Sequence, residues 1–200
     1  MSADTGVLTV RPAGVEDVET VQSILTEACR WLAGRGIVNQ WPREGFPLEQ
    51  TARFVVEGRM FVGEVDGEAV ATIAVDTWAD PEFWPEEDGE PAYYVHRLAV
   101  QRAWAGQGIG AALLDWAEQY ACERGGRWLR LDVSRGNVGL HAYYSGLGFS
   151  HVGTIDLPHR ISGVLFQRPV GPPTSALGWC SPGSAWGSRV RSGRSIGVPE

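Results

Sequence analysis

Lysine is missing altogether. All 17 basic residues are arginine, set against 24 acidic ones, for a net charge of −7. The segment from residue 170 onward holds Arg189, Arg191 and Arg194 with one acid, Glu200, so the body before it carries about −9. Such a body lacks the cations that neutralise a phosphate backbone, so no nucleic-acid partner is expected. A basic small molecule or basic peptide suits that charge better, although solubility alone also accounts for it. Cysteine is scarce too. Cys29, Cys122 and Cys180 are odd in number and far apart, which argues against a disulfide scaffold or zinc knuckle and fits a reducing cytoplasm. No metal site is expected. No run of about 20 apolar residues exists, so no membrane-spanning helix is expected. Residues 1–9 show neither the basic flank nor the apolar run of a secretory signal.

What is present fits one globular domain, residues 1–169, followed by a tail, residues 170–200. The tail is rich in Gly, Ser, Pro and Arg and is expected to be disordered. Within the domain, residues 7–11 read as a strand closed by Pro12. Asp17 is placed to cap a helix to about Ala33, with Val21, Ile24, Leu25, Ala28 and Leu32 on one stripe. Pro47 opens a second helix over about 48–57. Residues 60–65 and 68–75 read as strands joined by Asp66-Gly67, the strongest hairpin signal in the chain. After a long connection, 76–91, come strand 92–100, helix 110–124, strand 128–133, helix 138–145 and strands 149–155 and 163–167. Early meander strands followed by strand–helix alternation predict an α/β fold with a mixed sheet flanked by helices.

The chemistry centres on residues 105–110, Ala-Gly-Gln-Gly-Ile-Gly, between a strand and a helix. Glycines there let backbone approach a ligand. The amides of Gln107, Gly108, Ile109, Gly110 and Ala111 then stand at a helix N-terminus, where a phosphate can be held. A flexible turn with a glycine helix start is an equally ready reading of this segment alone. A Rossmann site is the nearest rival, with Asp132 at about the right distance for its acidic residue, but Ile109-Gly110 breaks the glycine spacing. A Walker A loop is excluded, since no Gly-Lys-Ser/Thr follows.

The segment resembles the central motif of the GNAT superfamily, the Gcn5-related N-acetyltransferases: a strand, Arg/Gln-x-x-Gly-x-Gly/Ala, then a helix. Ala105 stands where that family usually has Arg or Gln; Gln107 or Arg102 are the residues that could compensate. A second segment is similar to the family's strand-Asn-helix-Tyr-x-x-x-Gly-Phe pattern: Leu131-Asp132-Val133, then Asn137, then Tyr144 through Gly148-Phe149. The resemblance covers most of 7–168, its specific part 92–149. It implies a centrally splayed sheet and acetyl-CoA as co-substrate. Leu98, Ala99 and Val100 would offer backbone to the pantetheine arm. Asn137 would contact or order that arm, and Tyr144 would act as acid toward the departing thiolate. The packing alternative for Tyr144 is a core aromatic whose hydroxyl finds a partner.

The implied reaction is transfer of an acetyl group to an amine: a small amine, an amino-acid derivative or a peptide. The alternative is a non-catalytic CoA-binding module of the same fold. The amine must lose a proton to attack. His96, on the strand that feeds the glycine turn, is a base or a half-buried strand histidine; strict alternation groups it with Tyr94, Leu98 and Val100. Its segment is similar to that of serotonin N-acetyltransferase, where histidines are linked to proton removal. Asp76 and the acidic loop are the fallback bases. His141 reads as a solvated face or an edge of the cofactor cleft. The carboxylates of 76–91 could draw a cationic amine, with Trp78, Phe83 and Trp84 beside it, or the loop could be a solvated insertion with packed aromatics. Trp31 and Trp41 either line the pocket or, for Trp31 at least as readily, pack in the core. A homodimer is compatible with the apolar composition.

Overall fold

A computed structural model describes residues 6–37, 39–84, 89–171 and 187–189. The elements follow the predicted order. β1 (Val7–Pro12) leads to α1 (Val18–Gly34) and α2 (Leu48–Val56), then β2 (Met60–Val65), β3 (Glu68–Asp76) and β4 (Ala92–Val100). α3 (Ile109–Cys122), β5 (Trp128–Ser134), α4 (Val138–Gly146), β6 (Ser150–Thr154) and β7 (Ser162–Pro169) complete the body. Asp66 and Gly67 take φ of 52° and 81°, the left-handed pair that a two-residue hairpin turn needs. Asp17 departs from expectation: its side chain does not cap α1. It accepts from the Gly14 amide at 2.8 Å, closing a 3-10 turn over Val15–Asp17, and holds Arg11 at 2.6 and 2.9 Å.

The strands form one mixed sheet in the order β6-β7-β5-β4-β3-β2-β1. α1 and α2 cover one face, where Val21, Ile24, Leu25 and Val55 meet Met60, Val62, Ala74 and Ala99. α3 and α4 cover the other, where Leu113, Trp116 and Tyr144 meet Phe61, Ile73, Val95 and Phe166. The outer edge of β1 is paired antiparallel by a short strand β8 (Gly187–Arg189). These three tail residues add to the sheet, since a free sheet edge is a template for any strand that reaches it. Trp179, Trp186, Cys180 and most of the rest of the tail lie outside the described residues.

Every strand pair is antiparallel except β4 and β5, which α3 connects in parallel. That pair matches only at Ala92, Tyr93 and Tyr94 against Trp128, Leu129 and Arg130. Beyond Tyr94 the two strands part, and this is the central splay.

A bulge in β4 overturns the simple alternation. Thr72 pairs with Ala99 and Ala74 with His96, so two steps along β3 span three along β4. The extra residue is taken up at Arg97, whose φ is 50°; a left-handed backbone costs a non-glycine residue about 1–3 kcal/mol. A bulge sends the side chains after it to the opposite face. Leu98 and Val100 therefore join Val95 toward α3. His96 stays with its cross-strand partner Ala74 on the face of α1 and α2. The predicted grouping of His96 with Leu98 and Val100 is thus corrected.

Candidate active site

The splay opens into a cleft of about 1500 Å³. One half is built on the glycine turn. Leu98, Ala99, Val100, Gly108, Ile109, Gly110, Ala111, Asn137 and Tyr144 all border it; Gln107 does not. The edge of β4 toward β5 has no strand partner past Tyr94. Gly106 and Gly108 have φ of 79° and 80°, and a Cβ on either would meet nothing within 4 Å. Glycine is needed there for backbone conformation, not for space. Gly110 is the reverse case: a Cβ there would lie 2.8 Å from Tyr143 Oη. Gly108 is the N-cap of α3 and its carbonyl accepts from the Ala112 amide at 3.0 Å. The amides of Ile109, Gly110 and Ala111 therefore have no acceptor within the helix. Together with the positive end of the helix dipole they make an anion cradle.

The opposite wall carries the tyrosine. Asn137 caps α4, its Oδ1 accepting from the Leu140 amide at 3.2 Å, and so fixes the start of the helix that presents Tyr144. The Tyr144 ring packs against Phe149 and Phe166 at 5.7 and 6.1 Å. Burial, with Tyr143 and the Asp132 carboxylate adding, pushes its phenol well above the ordinary value.

Titratable groups from β3, β4 and β5 converge on the far side. His96 borders the cleft, with Nε2 at 3.4 Å from Asp76 Oδ1. Asp76 also accepts from Arg59 Nη1 at 2.9 Å and from the Trp78 amide at 3.0 Å. Burial opposes its charge, but His96, Arg59 and that amide outweigh the penalty and hold the carboxyl below the usual range. Asp76 thus serves as an ionised anchor for His96 and makes a poor base itself. Asp132 is the reverse. It borders the same cleft from β5, and burial raises its carboxyl despite the Ser162 hydroxyl and the charges of His96 and Arg160.

Known proteins share the sequence pattern and the fold of this chain. The sequence profile of the Acetyltransferase (GNAT) family matches residues 20–149, which include the glycine turn and Tyr144. The chain belongs to that family. YesJ, an uncharacterised N-acetyltransferase of Bacillus subtilis (strain 168), is 34% identical over 148 residues, 71% of this chain and 81% of its own length. A GNAT acetyltransferase of Listeria monocytogenes has a similar fold, with a TM-score of 0.69 at 24% identity over 81% of this chain and 94% of that one. YncA of Salmonella typhimurium, solved with acetyl-CoA, aligns at a TM-score of 0.62 and 15% identity, over 82% and 95% of the two chains. Membership makes the protein an N-acetyltransferase with acetyl-CoA as co-substrate.

In this acetyltransferase two carboxylates of the acidic loop are already paired. Asp80 and Glu82 hold Arg160 at 2.6 and 2.5 Å, and Glu82 also meets His159 Nε2 at 2.7 Å. Those carboxylates are spent on a latch to the β6–β7 connection rather than left open to an amine. Phe83 and Trp84, 1% and 6% exposed, pack with Tyr94 and Leu165, so the packing reading holds for both. Trp78 is 56% exposed and borders the cleft. Residues 85–88, with Glu86, Glu87 and Asp88, lie outside the described residues. Trp31 and Trp41 border the cleft. His141 does not; its Nε2 lies 2.9 Å from the Ser134 carbonyl. The sequence motifs assign Asp132 no part in this site, only that of the acidic residue in a rival fold. Its signal is present all the same, a carboxylate set directly between Leu131 and Val133 in the strand Trp128–Ser134. Among the described residues there is no cluster suited to a metal ion, and no helix is long and apolar enough to cross a membrane.

Proposed function

We propose that the enzyme acetylates a small amine, an amino-acid derivative or a peptide by direct attack within the cleft between β4 and β5. The observation that carries this is convergence: the glycine turn, Tyr144, His96 and Asp132 all border one cavity. Acetyl-CoA supplies the activated acyl group. The free amides of Ile109, Gly110 and Ala111 suit its pyrophosphate, and the unpaired edge of β4 at Leu98, Ala99 and Val100 suits an extended arm laid beside it as an added strand. Ala105 brings no polar group to this half. Arg102 takes up that role, its guanidinium 4.0 Å over the Trp31 ring with both residues at the cleft.

An alkylamine with a pKa of about 10 is protonated at neutral pH and must lose that proton before attack. His96 receives it. Asp76, 3.4 Å from Nε2, stabilises the imidazolium that results. Tyr144 faces the leaving sulfur. Because burial holds its proton tightly, it stabilises the thiolate chiefly as a hydrogen-bond donor. The second reading places the proton on Asp132, whose raised carboxyl makes it a competent base. The pH–rate profile separates the two. His96→Ala is expected to abolish the acid limb while Asp132→Asn leaves it in place. An acid limb that survives His96→Ala and disappears in Asp132→Asn assigns the base to Asp132.

A further inference from the structure

We infer that the acceptor is an amine that also carries a carboxylate, an amino acid or close analogue, and that Arg97 receives that carboxylate. The inference rests on the reading of the cleft as the site of acetyl transfer, and it names the acceptor class that reading leaves open.

Four arginines border the half of the cleft away from the glycine turn and Arg102: Arg53, Arg59, Arg97 and Arg160. Three have carboxylates. Arg53 holds Glu57 at 2.7 Å, Arg59 holds Asp76 at 2.9 Å and also Glu57, and Arg160 holds Asp80 and Glu82. Arg97 has no carboxylate at ion-pair distance among the described residues. Its one acceptor is the neutral Gln50 Oε1, at 3.1 Å from Nη2. Nη1 is buried with no acceptor at all. The rings of Phe46 and Phe54 flank the guanidinium carbon at 4.4 and 4.0 Å. Burial and the neighbouring Arg59 lower its pKa to about 10, so it remains a cation at neutral pH. A half-buried cation without a counterion is costly. The same residue also carries the left-handed backbone of the β4 bulge. Both costs fall on one residue and are offset by two rings and one neutral hydrogen bond, but by no counterion among the described residues, a pattern that marks ligand clamps.

The position fits an amino acid in particular. Arg97 follows His96 directly, and the bulge leaves both on the α1–α2 side of the sheet. In an α-amino acid the amine and the carboxylate share one carbon, so a carboxylate at Arg97 sets the amine close to His96. An arriving carboxylate replaces Gln50 or moves Phe46, which stands on the connection between α1 and α2 rather than on a helix or strand. Trp41 and Trp78 are left to contact the substituent. Local charge here qualifies what net charge implied: the body is acidic, but Arg97 gives this wall of the cleft a cation with no carboxylate partner among the described residues.

The test uses amine pairs that differ only in the carboxylate: phenylalanine with phenethylamine, tyrosine with tyramine, tryptophan with tryptamine, histidine with histamine. Thiol release from acetyl-CoA by the full chain gives kcat/KM for each. We expect the carboxylated member to lead by about 10- to 100-fold in at least one pair, as a charge-assisted hydrogen bond implies. Arg97→Gln should bring that ratio close to one. Arg97→Gly relieves the positive φ and guards against a folding defect in the first variant; it should do the same. Turnover of the decarboxylated amines with no lead for any amino acid overturns the inference but spares the acetyltransferase reading. A lead that survives both variants also overturns the role of Arg97. No thiol release with any amine in the panel overturns the acetyl-transfer reading of the cleft, and this inference with it.

Discussion

The two halves of the cleft are made of different material. The donor half is backbone: unpaired amides at the start of α3 and an unpaired strand edge at the end of β4, drawn from one contiguous segment. The acceptor half is side chain: tryptophans, phenylalanines, arginines and carboxylates from α1, α2, the connection between them, β3, β4 and β5. Backbone groups cannot be substituted away, so only the glycines that shape them are open to change. Side chains can be exchanged singly, each with its own partner left behind. The donor half therefore binds the constant half of the reaction, and the acceptor half is free to differ from one acetyltransferase to the next.

The largest effect is expected where the halves meet. Tyr144→Phe removes the hydroxyl proposed to face the sulfur but keeps the ring that fills the space beside Phe149 and Phe166. kcat should fall by about 100- to 1000-fold, within the range of acid–base catalysis, with acetyl-CoA affinity by calorimetry nearly unchanged. A fall in affinity that matches the fall in kcat would make Tyr144 part of the binding wall instead.

The two carboxylates beside His96 offer a sharper contrast. Asp76→Asn strips Arg59 and His96 of a buried anion and should cost about 3 kcal/mol of stability at pH 7 by urea unfolding. The sign follows from the depressed carboxyl: its contribution is present above the unfolded pKa of about 4 and is lost as pH falls through the lower folded value. The gap between wild type and variant should thus close toward pH 3. Asp132 runs the other way. Its carboxyl is raised in the fold, so ionisation penalises the folded state once pH exceeds the unfolded value. Asp132→Asn should be no less stable than wild type at pH 7. Destabilisation by both variants to the same degree would show that Asp132 is a structural ion as well.

A smaller effect is expected at the cradle. Gly108→Ala must place a Cβ at φ 80° but meets no neighbour within 4 Å. The cost is conformational only, about 1–2 kcal/mol, and should appear as a roughly tenfold rise in KM for acetyl-CoA.

How much of this could be read from the sequence follows the same division. The glycine turn, the Asp66-Gly67 hairpin and the Tyr144 helix are local patterns, and each lies within about two residues of its predicted place. The splay followed only from resemblance, because strand pairing is not written into either strand. The bulge at Arg97 left no trace, since neither glycine nor proline marks β4. A missed bulge turned the last part of the strand over and set His96 beside the wrong neighbours. The pairing inside the acidic loop is hidden for a related reason: Arg160, which holds Asp80 and Glu82, lies about 80 positions away in the chain. Charge counted along a sequence cannot reveal which charges are already paired in space.

Arg102 tests whether the donor half is backbone alone. Ala105 contributes no polar group, and the guanidinium that borders the cleft nearby is held by stacking on Trp31 and by no carboxylate among the described residues. An exposed cation facing a phosphate is worth little in high dielectric, commonly below about 1 kcal/mol. Arg102→Ala should raise KM for acetyl-CoA by about two- to fivefold, leave kcat in place, and lose most of that difference at 0.5 M salt. Trp31→Ala frees the same guanidinium from its platform and should reproduce the salt-sensitive part of the change. If neither variant moves KM, the amides of α3 and the edge of β4 hold the co-substrate unaided, and the division between a backbone half and a side-chain half is complete.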